Sequence, residues 1–130
     1  KAMQAAGPHA CTDIIGIGLL GHAYEMAKAS DVPFEIESAA VPLLPDVLEL
    51  IADGMLTRGD KNNRAYVADT VVFGSKVSVV MQSALFDPQT AGGLLISLNK
   101  ESADQFLQTV SGSAVVGRVV ERNQHLIDVN

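Results

Sequence analysis

Asp13, flanked by Thr12 and followed by the run Gly16-Ile17-Gly18-Leu19-Leu20-Gly21, is the side chain best placed to do chemistry. A carboxylate just before a glycine-rich turn into a helix has two uses. Backbone N–H groups can hold it, because a helix N-terminus favours negative charge. Alternatively it can ligate a hard cation such as Mg²⁺, which takes one or two protein carboxylates and completes its shell with phosphate oxygens and water. A cation between Asp13 and a nucleotide would turn the repulsion between carboxylate and phosphates into attraction. These residues alone leave both uses open.

The glycines match the dinucleotide pattern G-x-G-x-x-G, and Glu35 and Glu37 stand near the place expected for a ribose-binding acid. Against that reading, the preceding strand would be only Thr12 to Ile15, and Asp13 would repel the pyrophosphate. A tight strand-to-helix turn is the better account of the glycines. A second unusual stretch is Leu85-Phe86-Asp87-Pro88-Gln89-Thr90-Ala91-Gly92-Gly93-Leu94. Pro88 fixes its own φ and makes Asp87 extended, while Asp87 and Gln89 can bond backbone groups of their own turn. Gly92 and Gly93 then permit close backbone approach.

The cluster Gly59-Asp60-Lys61-Asn62-Asn63-Arg64 could approach phosphates, but it reads more simply as a solvated helix start. His9, His22 and His125 lack a metal-ligand spacing, and His22 is expected to be a packed or capping histidine. Cys11 has no CxxC partner and, beside an apolar run, is expected to be buried and inert.

The elements that must position these residues follow from hydrophobic period. Leu19, Leu20, Ala23, Met26 and Ala27 share one face of a helix predicted over 18–30, ended by Asp31-Val32-Pro33. Phe34 and Ile36 alternate with Glu35 and Glu37 as a half-buried strand. Val47, Leu48 and Ile51 mark a second helix between Pro45-Asp46 and Gly54, and 60–69 forms a short third. Strands are predicted at Val71–Phe73, Val77–Met81 and Leu94–Leu98, with 74–86 ambiguous by period. Asn99 caps a helix bearing Ala103, Phe106, Leu107 and Val110. Ser113–Glu121 returns as a strand and pairs with Leu126–Val129 through Arg122-Asn123-Gln124-His125. Mixed rather than alternating elements predict an α+β domain, with helices packed on a mixed β-sheet.

Bulk properties exclude several classes. With 130 residues, 48% hydrophobic and 18% charged, the chain is an ordinary globular domain with one core. Nine basic against fifteen acidic residues give a net charge of −6, which argues against nucleic acid and anionic membrane as partners. No apolar run approaches the ~20 residues of a bilayer span, and no signal peptide is visible. A single cysteine precludes an internal disulfide and fits a reducing, cytoplasmic setting. The opening Lys1-Ala2-Met3-Gln4-Ala5-Ala6-Gly7-Pro8 looks like a helix tail ended by Gly-Pro, as expected of a piece of a longer protein.

Together these segments resemble the C-terminal domain of the selenophosphate synthetase family (selenide, water dikinase), in the superfamily named after aminoimidazole ribonucleotide synthetase. The family's T-D-V-T-G-F-G-L-L-G-H stretch corresponds to Thr12-Asp13-Ile14-Ile15-Gly16-Ile17-Gly18-Leu19-Leu20-Gly21-His22. Its D-P-Q-T-S-G-G-L-L stretch corresponds to Asp87-Pro88-Gln89-Thr90-Ala91-Gly92-Gly93-Leu94-Leu95. A G-x-x-x-N segment is kept as Gly59 to Asn63, and Val115 to Glu121 looks like the family's final V-G-x-V strand. The likeness covers essentially the whole chain. Ile15 replaces a hydroxyl residue, Ile17 an aromatic one, Asn62 an Arg, and Ala91 a Ser.

The resemblance implies an enzyme converting ATP, selenide and water to selenophosphate, AMP and phosphate, with Mg²⁺ and ATP in a cleft against an N-terminal domain. That domain would supply the glycine-rich loop, most metal-binding aspartates, a reactive Cys or selenocysteine with its Lys, and the homodimer contacts. In this chain the resemblance makes Asp13 the metal ligand and puts Thr12, Gly16, Gly18 and Asn63 near ATP or its phosphates. It assigns no catalytic residue here, so the isolated domain is expected to fold but to turn nothing over. The rivals are other ATP-using branches of the superfamily and a non-catalytic interaction module with the same fold. The hydrogenase-maturation carbamoyl dehydratase branch needs a C-terminal Cys, and this sequence ends Leu126-Ile127-Asp128-Val129-Asn130.

Overall fold

A computed structural model describes residues 1–121 and 124–130. In chain order the elements are α1 (Ala2–Ala6), β1 (Ala10–Asp13), α2 (Gly18–Ser30), β2 (Phe34–Ile36), α3 (Val47–Ala52) and α4 (Arg58–Val67). They continue with β3 (Val71–Phe73), α5 (Val79–Phe86), β4 (Leu94–Ser97), α6 (Lys100–Thr109), β5 (Gly117–Val119) and β6 (Ile127–Val129). Two short 3₁₀ turns lie at Ser38–Ala40 and Ala68–Thr70.

The strands form two sheets. One is four-stranded in the order β3-β6-β2-β5, with β2 and β3 parallel to β6 and β5 antiparallel to β2. The other is the antiparallel pair β1-β4. Helices and a mixed sheet make the α+β architecture that the sequence predicts.

Helix α2 bridges the two sheets. Its apolar face buries Leu20, Ala23 and Ala27 fully and Met26 nearly so, against Phe34 and Ile36 of β2 and Ile127 and Val129 of β6. Each large aliphatic side chain buried there contributes about 1.5–3 kcal/mol of transfer free energy. The helix stops at Asp31, which takes a left-handed φ of 53°, and Pro33 bars its continuation. At the other end of the chain, Asn99 Oδ1 accepts from the Ser102 N–H at 2.8 Å and caps α6 as predicted.

Two sequence expectations fail here. The run Val77–Met81 is not a strand. Ser78 Oγ accepts from the Met81 N–H at 3.1 Å, and α5 begins at Val79. The valines' β-propensity loses to that cap and to burial of Ser83, Ala84, Leu85 and Phe86 between α2 and α4. Nor does Leu126–Val129 pair with the strand before it. Of the predicted Ser113–Glu121 strand only Gly117–Val119 forms, and β2 lies between it and β6. A hairpin leaves one flank of β6 unpaired, whereas insertion beside β2 and β3 satisfies both and buries Ile127 and Val129 completely. Arg122 and Asn123 of the predicted connection lie outside the described residues.

Candidate functional site

Three stretches that are far apart in sequence meet at the loop between β1 and α2. Along β1, Thr12 lies opposite Leu95 and Asp13 opposite Leu94 of β4. The ladder then continues into irregular backbone. The Ile14 N–H donates to the Gly93 carbonyl at 2.9 Å, and the Gly92 and Gln89 N–H groups donate to the Ile14 and Ile15 carbonyls at 3.0 and 3.2 Å. The Asp-Pro-Gln-Thr-Ala-Gly-Gly turn is thus a backbone cradle for the residues that follow Asp13.

Helix α4 supplies the third stretch. Gly59 and Asn63 are four apart and share a face. A Cβ on Gly59 would stand 2.7 Å from Pro88 Cδ and closer still to Cγ, so only glycine lets α4 lie against the Pro88 ring. One turn on, Asn63 is 5% exposed, and its Nδ2 donates to the Phe86 carbonyl at 2.8 Å and the Gly16 carbonyl at 3.2 Å. Arg64 stacks its guanidinium 4.8 Å from the Phe86 ring centre, donates to Ser83 Oγ at 3.0 Å, and pairs with Asp60 at 3.1 Å. So Asn63 ties the glycine loop to the end of α5, with both donors of its amide used on backbone.

The glycines act by space and by conformation. Gly18 opens α2 with φ of 71°, and a Cβ there would stand 2.8 Å from the backbone carbonyl of Phe86. At Gly21 a Cβ would strike the Ile17 side chain. No dinucleotide unit is present, because β1 pairs antiparallel with β4 and feeds no parallel neighbour among the described residues. The first turn of α2 has no acidic residue and its N-cap residue Ile17 makes no side-chain cap, while the Gly18 N–H is taken by the Ile15 carbonyl at 2.9 Å. The dipole of this end therefore favours an anion, but Gly18 itself offers it no N–H.

Thr12 is half-buried, Gly18 is buried, and Asp13 and Gly16 are exposed. Among the described residues nothing pairs with or hydrogen-bonds the Asp13 carboxylate. It is therefore free to serve as one hard oxygen ligand. No group of three or more His, Cys, Asp or Glu side chains is gathered for a metal among the described residues. The donor set fits a contribution to a shared Mg²⁺ shell and not a complete site. Gln89 bonds its own turn as expected, its Nε2 donating to the Asp87 carbonyl at 3.3 Å, whereas the Asp87 carboxylate reaches away from the turn and accepts from Thr57 Oγ1 at 3.0 Å.

Cys11 is exposed, contrary to expectation. Strand alternation puts it on the same side of β1 as Asp13, and that period-2 relation was available in the sequence. His22 is packed as expected, 7% exposed on α2. Its Nε2 accepts the Ile15 N–H at 3.0 Å, a link that no sequence motif announces. The departures at Ile15 and Asn62 are exposed, whereas Ile17 covers Gly21. No helix among the described residues is long and apolar enough to cross a membrane.

The family model described as AIR synthase related protein, C-terminal domain, matches residues 1–130. A selenide, water dikinase of Treponema denticola is 40% identical over 131 residues, covering 94% of this chain and 37% of that protein. One from Caldanaerobacter subterraneus subsp. tengcongensis is 39% identical over 134 residues, covering 99% of this chain and 39% of that protein. One from Pelobacter propionicus is 43% identical over 118 residues, covering 87% of this chain and 34% of that protein. The chain thus spans between 34% and 39% of the length of these three relatives. With its full length matched and its three characteristic stretches joined at one loop, the chain belongs to the AIR synthase related protein C-terminal domain family.

Proposed function

We propose that this chain is the C-terminal domain of an ATP-dependent selenophosphate synthetase, which converts ATP, selenide and water to selenophosphate, AMP and phosphate. The observation that carries the reading is the free Asp13 carboxylate beside the uncapped N-terminus of α2, held in place by the family's two long motifs. Relatives named selenide, water dikinase support the choice of reaction.

In this reading the domain forms one wall of a cleft whose other wall is an N-terminal domain. Asp13 gives one oxygen ligand to a Mg²⁺ ion, and the loop of Gly16 and Gly18, at the positive end of the α2 dipole, lies beside the phosphate chain. Thr12 adjoins the same region. Asn63 serves it indirectly by holding the Gly16 carbonyl. Bound Mg²⁺ would neutralise phosphate charge, and phosphoryl transfer depends mostly on such neutralisation and on positioning. One carboxylate cannot assemble that site, so the isolated domain binds no catalytic metal set and turns over no ATP. The full-length enzyme would be a cytoplasmic homodimer joined through its N-terminal domains, with no nucleic-acid or membrane partner.

The test follows ATP by phosphorus NMR with the full-length protein that carries this domain, with Mg²⁺, with and without selenide. Selenide-dependent AMP and a selenophosphate resonance are expected. ADP as product would assign the protein to another ATP-using branch. Absence of turnover by a folded protein would leave a non-catalytic module.

A further inference from the structure

We propose that His22 is the positioning residue that sets Asp13 for cation binding, through a hydrogen-bond chain with one allowed direction; this rests on Asp13 being a cation ligand. The Ile15 N–H donates to His22 Nε2 at 3.0 Å, so Nε2 carries no proton and the neutral ring holds its proton on Nδ1. Nδ1 lies 3.5 Å from Thr12 Oγ1, and Thr12 Oγ1 donates to the Asp13 carbonyl at 3.4 Å. Every donor meets an acceptor in only one order: Ile15 amide to imidazole, imidazole to Thr12, Thr12 to the Asp13 carbonyl. The ring is therefore tied to the side chain of the residue before Asp13 and to the backbone two residues after it.

This tie matters because, among the described residues, β1 has a strand partner on one edge alone. The pair β1-β4 is a two-stranded sheet, which is marginal without further packing. Further support comes from α2, where the Gly18 N–H donates to the Ile15 carbonyl at 2.9 Å and the His22 ring bonds both the β1 end and the loop. Imidazole suits the task because it is rigid and presents an acceptor and a donor on opposite edges. Glu25 Oε2 stands 3.9 Å from Nδ1, and Glu25 Oε1 accepts from the Tyr66 O–H at 2.9 Å. With the ring neutral, that approach is not an ion pair. The polar segment thus fixes the backbone that carries a carboxylate ligand, and loss of groups that orient a ligand typically weakens metal affinity roughly 10- to 100-fold.

The experiment has two parts. In this chain, nitrogen-detected NMR of the imidazole should show the Nδ1–H tautomer, and the Ile15 amide should be protected from exchange. His22→Leu should remove that protection, and His22→Gln, whose Oε1 can accept the same N–H, should restore much of it. An Nε2–H tautomer or an imidazolium in the wild-type protein overturns the proposal even if neither variant folds. In the full-length enzyme, His22→Leu should raise the Mg²⁺ concentration for half-maximal rate at least about tenfold, with His22→Gln recovering most of the loss. An unchanged Mg²⁺ requirement alongside a deprotected Ile15 amide overturns it too. Asp13→Ala separates the two ideas: a fully active Asp13→Ala enzyme refutes the ligand reading itself, whatever His22 does.

Discussion

Gly59→Ala sets two effects of known sign against each other. Gly59 is the second residue of α4, where alanine is favoured over glycine by no more than the helix-interior figure of about 0.8–1.0 kcal/mol. At position 59 the new Cβ would fall 2.7 Å from Pro88 Cδ and nearer to Cγ. A pyrrolidine ring cannot rotate away as a long side chain can, so α4 or the 87–90 turn must move. Overpacking of this kind costs typically 1–3 kcal/mol, and here the displaced ring belongs to the turn that cradles Ile14 and Ile15. The clash is therefore expected to win, with a net loss of about 1–2 kcal/mol and a fall in Tm of roughly 3–8 °C for a domain of this size. Pro88→Ala removes Cγ and Cδ but keeps a backbone able to hold the turn. In that background Gly59→Ala should become stabilising, recovering most of the helix-propensity gain. Urea denaturation of the four proteins in a double-mutant cycle should give a coupling above about 1.5 kcal/mol. If Gly59→Ala stabilises the wild-type chain, or the two substitutions add without coupling, the packing of α4 on Pro88 is wrong.

Gly18→Ala combines a left-handed φ of 71° with a Cβ 2.8 Å from the Phe86 carbonyl, so a loss of about 3 kcal/mol is expected by the same assay. Asn63→Leu leaves the buried Phe86 carbonyl and the Gly16 carbonyl without their donor and should cost about 2–4 kcal/mol, measurable as a lower urea midpoint. Asp13→Asn removes an exposed charge with no partner among the described residues, and should move stability by less than about 0.5 kcal/mol. The Tyr66 phenol should titrate above the ordinary tyrosine value because its O–H donates to Glu25, and Glu25→Gln should lower it, read by phenolate absorbance. That link favours the neutral phenol. Its stabilisation is present below the unfolded tyrosine pKa and is lost as pH rises through the folded one.

What the sequence revealed depended on how local the cause was. Helix α2 is legible because Leu20, Ala23, Met26 and Ala27 repeat on one face, and α6 because Asn99 announces its own cap. The segment around Val77 misleads because β-branched residues vote for a strand, while the deciding forces are a single serine cap and burial among helices brought from elsewhere. The position of β6 beside β2 and β3 was invisible for the same reason: strand order follows from satisfying long-range edges, and no neighbour in sequence encodes it. Asp13 stood out by residue type and place. Its setting did not, since the Gly59 and Asn63 face meets Phe86 and Pro88 only after the helices pack. The one clue was their spacing of four, which places both on one side of a helix. Two of the three glycines of the first motif allow close packing, Gly18 against the Phe86 backbone and Gly21 against Ile17, while Gly16 has open space around it.

The most direct measurement compares the full-length protein that carries this domain with its Asp13→Ala variant for the proposed selenide-dependent AMP formation across a Mg²⁺ titration, with matched unfolding curves. The account predicts unchanged stability and loss of AMP formation, or a rate regained only at much higher Mg²⁺. Equal rates at equal Mg²⁺ in the two proteins would contradict it.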